Sequence, residues 1–290
     1  MEKLKAGSRD SVLAVAQSNI ILKLIHEKNP ELETELVTMK TIGDRILDRT
    51  LDKVGGKGLF IKELDSALLS GKVDITIHSL KDIPSELPEG IRIAAYSRRE
   101  DPRDVLILPA GTDKFDPLKP IGCASARRAA QLKELMPGAE IKPVRGNVLT
   151  RLEKLDSGEY SALVLAKAGI ARLGLGNRIN RVFSPDEMLP AAGQGIIAVE
   201  CRAEDDYPVL DEISDWTARI CAEAERAYIA EMSGGCSAPA AAYCTVVRDG
   251  ITVTGMDVRD GKVIKRSVSD IAENAAAAGR RLAELVRNAE

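Results

Sequence analysis

A chain of 290 residues, 44% hydrophobic and 29% charged, is long enough for two or three cores and has an ordinary soluble globular composition. Its net charge of −3 gives no basic field for nucleic acid, and 3% aromatic residues argue against recognition by base stacking. No apolar run approaches the roughly 18 residues of a membrane span, and the start Met1-Glu2-Lys3-Leu4-Lys5 lacks the apolar core of a signal peptide. Neither nucleic acid nor membrane is therefore an expected partner, and a cytoplasmic location is expected.

The first elements alternate strand and helix. Lys3 to Ala6 reads as a short strand, and Ser8 or Asp10 stands where it can cap the next helix, which carries Leu13, Ala16, Ile20 and Leu24 on one face. Glu35 to Met39 is a second strand. Beyond the glycine-rich Val54-Gly55-Gly56-Lys57-Gly58, the spacing predicts a helix over Phe60 to Ser70, with Ile61, Leu64 and Leu68 aligned and Gly71 ending it. Val73 to Ile77 alternates as a strand and delivers His78-Ser79-Leu80-Lys81-Asp82 at its C-terminal end, where open α/β sheets bind ligands.

A second βα series follows. Val105 to Leu108 and Pro120 to Gly122 read as strands, Ser125 caps a helix over Ala126 to Leu135, and Ile141 to Val144 is another strand. Asn147 opens a helix through Leu155, and the buried strand Ala162 to Leu165 leads into a short helix. Gly193-Gln194-Gly195 breaks the chain before an apolar strand, Ile196 to Val199, that is free to return to the first domain. From Trp216 a helix runs to Met232, followed by strands at about 240–247, 251–258 and 262–268. Asp249-Gly250 and Asp260-Gly261 are hairpin turns, and Ser269 or Asp270 caps a last helix with Ile271, Ala275, Ala278, Leu282 and Leu285 on one face. The expected architecture is α/β: domain 1 over 1–97 plus 194–214, domain 2 over 98–193, and over 215–290 a small α+β domain with a three-stranded antiparallel sheet and helices.

Five cysteines (123, 201, 221, 236, 244) form no CxxC pair and no zinc spacing, and with only His26 and His78 no metal site is expected. Cys201, Cys221 and Cys244 read as packing residues. Cys236 differs, because Gly234 and Gly235 give it backbone freedom and access; the alternative is a buried thiol that merely follows a glycine C-cap. Between Gly122 and Arg151 six Lys or Arg stand against two acids. Arg127, Arg128, Arg145 and Arg151 fall at loop–helix junctions, where free N–H groups and the helix dipole already favour anions, and Arg grips carboxylates through a planar fork. Arg9 with Ser11, Lys53 and Lys57 repeats this chemistry upstream, which suggests one polyanionic ligand; the alternative is a set of solvated helix faces. Asp82, following Lys81 at a strand end, suits stabilisation of a cationic intermediate or proton exchange with it, unless Asp82-Ile83-Pro84 is simply a turn.

Seven signatures occur in one order: Gly7-Ser8-Arg9-Asp10-Ser11, Gly55-Gly56-Lys57-Gly58-Leu59-Phe60, His78 to Asp82, Glu100-Asp101-Pro102-Arg103-Asp104, Arg145-Gly146-Asn147, Leu189-Pro190-Ala191-Ala192-Gly193-Gln194-Gly195, and Gly234 to Pro239. In this the chain resembles the porphobilinogen deaminases (hydroxymethylbilane synthases) from Lys5 to about Pro239. The resemblance implies two periplasmic-binding-protein-like βα domains plus a small C-terminal domain. It also implies a monomer whose small-molecule substrate is porphobilinogen, four of which are condensed head to tail with loss of ammonia and then released as hydroxymethylbilane. By motif position, a dipyrromethane cofactor is implied on Cys236 through a thioether, with Lys81, Ser79, Ser125, Arg127, Arg128 and Asp104 in the cofactor-binding set. Arg9, Ser11, Arg145, Arg151, Lys57 and Gln194 are implied for substrate, and Asp82 for catalysis beside the pyrrole nitrogens, stabilising the azafulvenium cation formed as ammonia leaves.

One departure stands out. The family's arginine-pair loop usually reads Gly-Thr-Ser-Ser, whereas here it is Gly122-Cys123-Ala124-Ser125, so two hydroxyls are missing. Two other classes of function remain open on the residues alone. One is a two-domain binding module for an anionic small molecule, which leaves Cys236 and Asp82 without a role. The other is a thiol hydrolase pairing Cys236 with His78.

Overall fold

The computed structural model describes residues 3–41, 61–232, 239–248 and 250–289. Lys57 with its glycines, and Cys236 with Gly234 and Gly235, lie outside the described residues. In chain order the first elements are β1 (Leu4–Arg9), α1 (Val12–Lys28), β2 (Thr34–Met39), α2 (Lys62–Leu69), β3 (Ile75–Ser79) and β4 (Ile91–Tyr96). Next come β5 (Asp104–Ile107), β6 (Ile121–Gly122), α3 (Ala126–Leu135), β7 (Ile141–Lys142), α4 (Val148–Asp156), β8 (Ala162–Ala166), α5 (Lys167–Arg172) and β9 (Arg181–Val182). The chain then forms β10 (Ile197–Arg202), α6 (Pro208–Ile213), α7 (Trp216–Glu231), β11 (Ala241–Val247), β12 (Gly250–Arg259), β13 (Lys262–Ile271) and α8 (Ala275–Arg287).

The contacts group the chain into two units, Met1–Glu100 with Ile196–Ile220, and Asp101–Gly195 with Cys221–Glu290. In the first unit the strand order is β2-β1-β3-β10-β4. β1 pairs parallel with β2 and β3, whereas β10 runs antiparallel to both β3 and β4. The apolar strand after Gly195 thus does return to the first sheet. The second unit repeats this plan in the order β7-β6-β8-β5-β9, with β5 as the antiparallel member. Its central strands are buried on both faces, which explains their unbroken apolar runs. Val105, Ile107, Leu163 and Leu165 feed one core with Leu152 and Leu155, while Leu106, Ile121 and Val164 feed another with Leu132 and Phe183.

The second unit also holds the antiparallel meander β11-β12-β13. Its second turn is the expected one, with Asp260 and Gly261 at φ 48° and 76°, the left-handed pair that a tight hairpin needs. Its first turn departs from the expected one, because Gly250 pairs with Val247 and so belongs to β12 rather than to the turn. α8 packs on this sheet through Ala275, Ala278, Leu282 and Val286.

Several local expectations shift. α1 buries Gln17, Ser18, Ile21 and Ile25, and leaves Ile20 exposed, so its inner face is turned from the expected Leu13–Ala16–Ile20–Leu24 line. This helix spreads its apolar and polar residues around its circumference instead of separating them onto two faces, so periodicity alone does not fix which stripe faces the sheet. Its cap is Ser11, whose Oγ accepts from Ala14 N, rather than Ser8 or Asp10. Ser125 stands at the cap position of α3 without a side-chain cap bond. Ile271 ends β13 instead of joining the last helix, and Leu285 is exposed. The strands β4 and β9 and the short helix α6 were not expected from the sequence.

Candidate active site

In the first unit, β3 ends in a single 3-10 turn, Leu80–Asp82. Leu80 and Ile83 are buried on either side of it, Leu80 N donates to Ile196 O at 3.0 Å, and Ile83 N donates to Leu80 O at 3.1 Å. These anchors fix the turn and leave Lys81 and Asp82 half-buried between them. Asp82 lines a pocket with Arg9, Ser11, Gln17, His78 and Ser79. Ser79 and Gln17 exchange two hydrogen bonds: Gln17 Nε2 donates to Ser79 Oγ at 2.7 Å, and Ser79 Oγ donates to Gln17 Oε1 at 3.1 Å. Sequence reading missed Gln17. The available signal was a polar residue at helical spacing from Ile21 and Ile25, which the wrong choice of stripe concealed.

In the second unit the arginine pair is not a free cationic surface. Arg127 and Arg128 are 4% and 7% exposed and close on Asp104, which is 0% exposed. Arg127 Nη1 donates to Asp104 Oδ2 at 2.7 Å and to Leu189 O at 2.6 Å. Arg128 Nε donates to Asp104 Oδ1 at 3.0 Å and Nη1 to Val164 O at 3.2 Å. Burial alone would raise the Asp104 carboxyl, but the two guanidiniums and the Gln194 amide outweigh it and lower it to about 2. The pairing therefore stabilises the fold fully above about pH 4, and this contribution is lost as pH falls towards 2.

Gln194 completes the network. Its Nε2 donates to Pro102 O at 2.6 Å and Asp104 Oδ1 at 2.9 Å, and its Oε1 accepts from Arg128 Nη2 at 3.4 Å. The glycines beside it have φ of 71° and 93°, a backbone that L side chains rarely adopt, so Gly193-Gln194-Gly195 is a device for turning one amide inward. Glu225, buried on α7, holds this loop by accepting from Gly193 N and, with its other oxygen, from Cys244 N, each at 2.7 Å. Beside it, Asp101 accepts from Arg103 Nη2 at 2.6 Å and Lys167 Nζ at 2.7 Å, and these bonds, led by that to Arg103, hold its carboxyl well below the usual range. The Glu100–Asp104 motif is thus two consecutive ion-pair anchors.

Arg145 and Arg151 flank the start of α4. Gly146 takes φ 107°, Asn147 Oδ1 accepts from Thr150 N at 3.0 Å as the cap, and Arg151 Nε donates to Gly146 O at 2.8 Å. The turn thereby presents two half-buried guanidinium groups at a helix N-terminus. Ser125 is half-buried and Ala124 exposed, while Cys123 is buried with its Sγ 3.5 Å from Ser125 O. The missing hydroxyl at 123 is consequently a core position. Substituting Cys123→Thr with Ala124→Ser is expected to change activity by less than about tenfold in a steady-state assay, since one neutral hydrogen bond contributes about 0.5–1.5 kcal/mol.

The Asp104 anchor carries a larger expectation. Asp104→Asn keeps the shape but leaves two buried guanidiniums without a counter-charge, and removing one partner of a buried pair costs about 3–5 kcal/mol. Chemical denaturation at pH 7 is expected to show a loss of that order. A midpoint equal to wild type would mean that the arginines find other partners.

The family described as porphobilinogen deaminase, dipyromethane cofactor binding domain, matches residues 4–209, and its C-terminal domain matches residues 219–288. Among curated relatives, the porphobilinogen deaminase of Acetivibrio thermocellus is 52% identical over 99% of both chains. That of Ruminiclostridium cellulolyticum is 51% identical over 94% of both, and that of Alkaliphilus oremlandii 53% identical over 88% of this chain and 86% of its own.

Proposed function

Because the chain belongs to the porphobilinogen deaminase family, we propose specific roles for its residues in that family's reaction. It is a transferase, a hydroxymethylbilane synthase, which condenses porphobilinogen units in tetrapyrrole synthesis. The family fold, two periplasmic-binding-protein-like α/β domains and a small α+β domain, agrees with the two five-stranded sheets and the antiparallel meander. The chain carries a dipyrromethane-binding domain; the attachment of that cofactor to Cys236 by a thioether is our proposal.

The reading of the site rests on one observation above the others: among the described residues, Arg9, Ser11 and Ser79 line a pocket with a single acid, Asp82. Porphobilinogen carries an acetate and a propionate, so cations and hydroxyls suit its periphery, and one carboxylate suits the ring nitrogen that gains positive charge as ammonia departs. Asp82 is assigned to that charge. Arg9, Ser11, Arg145, Arg151 and Lys57 are assigned to substrate carboxylates, and Lys81, Ser79 and Ser125 to those of the cofactor. Arg127 and Arg128 belong to the cofactor set with Asp104, which fixes both guanidiniums in advance and so lowers the entropy lost on binding. Gln194, assigned to substrate, also steadies Asp104. The residues fit the group, because a donor set of Arg, Lys and Ser is what carboxylates require. When bound, the dipyrromethane supplies the pyrrole carbon to which the first substrate is joined.

We further propose a cytoplasmic monomer, in keeping with the composition. The test is an intact mass of the purified protein together with a porphobilinogen assay. Two covalently linked pyrroles and release of ammonia are expected. A bare polypeptide mass with binding but no turnover would favour a solute-binding module instead.

A further inference from the structure

Three ionisable side chains of the first unit have no role in the scheme above, although one of them faces the Asp82 pocket. Asp65 on α2, His78 on β3 and Glu200 on β10 are 8%, 5% and 1% exposed. The sheet register brings the last two together: Glu200 lies opposite Thr76 and Ala198 opposite His78, so Thr76, His78 and Glu200 share one face. His78 Nε2 stands 3.2 Å from Glu200 Oε2, which also accepts from Thr76 Oγ1 at 3.4 Å. Glu200 Oε1 and Asp65 Oδ1 are buried without a hydrogen-bond partner among the described residues, and His78 Nε2 is near Glu200 but out of hydrogen-bond alignment. His78 itself lines the pocket with Arg9, Ser79 and Asp82.

Two buried carboxyl groups with open oxygens are a poor way to hold a fold together, because each ionised form loses its hydration. Burial first, and then the charge of Glu200, push the Asp65 carboxyl up to about 6, with His78 drawing it back. A carboxyl raised in this way favours the folded state while it holds its proton. Stability then declines as pH rises from about 4 to about 6 and stays lowered above that. A group retained at such a cost beside a reaction pocket has the pattern of a functional one.

Resting on the deaminase reading, we propose that Asp65, Glu200 and His78 form a proton relay, with His78 at the pocket end and the two carboxyl groups as its buried store. Each condensation breaks the C–N bond of the substrate's aminomethyl group, forms one C–C bond, and removes one proton from the acceptor pyrrole carbon. One proton also leaves on the departing ammonia as ammonium, so the cycle is balanced and the store returns to its starting state. Among the described residues, the charges whose fields reach Asp65 are those of Glu200 on β10 and His78 on β3. Its own helix also carries Lys62 and Glu63, and Arg9 stands at the end of β1 in the pocket. Arg202 turns to the far end of α2, donating to Leu68 O and Val73 O.

The test uses the holoenzyme, with loading checked by mass. The wild-type kcat is expected to inflect near pH 6, where the store fills. Asp65→Asn is expected to lack that inflection and to turn over about tenfold more slowly at pH 8 with KM within about twofold, while melting several degrees higher at pH 8 and no higher near pH 4. A slower but more stable enzyme is not what a purely structural residue would give. Glu200→Gln, assayed in the same way, is expected to lose the inflection too. Wild-type kcat and profile in both variants, or losses of kcat and melting temperature that run in parallel with the inflection kept, would overturn the relay. Absence of both adduct and product from the wild type would remove the deaminase reading itself, a separate result.

Discussion

Asp82→Asn is expected to fold, load its cofactor and bind substrate, yet turn over about a thousandfold more slowly. The turn that holds position 82 is built from Leu80, Ile83 and backbone bonds to Ile196 and Leu80, none of which involves the carboxylate charge. Asn preserves the shape and leaves the pocket with Arg9, Ser11 and Ser79 unchanged in type. What it removes is a fixed negative charge where positive charge grows in the transition state, an effect worth about 10²–10³ in rate for comparable preorganised groups. A thousandfold corresponds to about 4 kcal/mol of activation energy. Because this contact matters most in the transition state, kcat is expected to fall far more than KM rises. Steady-state kinetics beside a melting curve would decide it, and near-normal kcat would reduce Asp82 to a turn residue.

Cys236→Ser is expected to abolish the covalent adduct, and with it all turnover and all pyrrole colour with Ehrlich's reagent. The other four thiols make poor attachment points. Cys123, Cys201, Cys221 and Cys244 are 4%, 0%, 3% and 2% exposed. Burial also pushes the Cys123 and Cys201 thiols up, away from the reactive thiolate. Cys244 lies within β11, and Cys221 Sγ sits 3.3 Å from Cys244 O, so both belong to the packing between α7 and the meander. Serine at 236 keeps the size of the side chain and removes only the sulfur. Intact mass and peptide mapping would show the outcome; an adduct of full mass on the variant, or one mapped to Cys123, would contradict the assignment.

The amino-acid order by itself determined the βα grammar, the meander and the family. Those features are written in short-range terms: apolar runs for strands buried on both faces, Asp260-Gly261 for a left-handed hairpin turn, Asn147 for a helix cap, and seven motifs in order. It also located Asp82 at a strand end, because a strand of alternating residues has only one place to stop. What it did not contain was any term linking distant positions. That β10 crosses back between β3 and β4 depends on pairing across more than 100 residues, and this pairing alone brings Glu200 beside His78. The inner face of α1, and so the place of Gln17, was decided by the sheet it packs on, since a helix whose apolar and polar residues are mixed around its circumference carries no clear stripe of its own. The arginine pair reads in sequence as free cations. Only the fold shows that Asp104, a buried acid 23 and 24 residues upstream, pairs with both of them through its two oxygens, because desolvated charges must find partners that the chain supplies from afar.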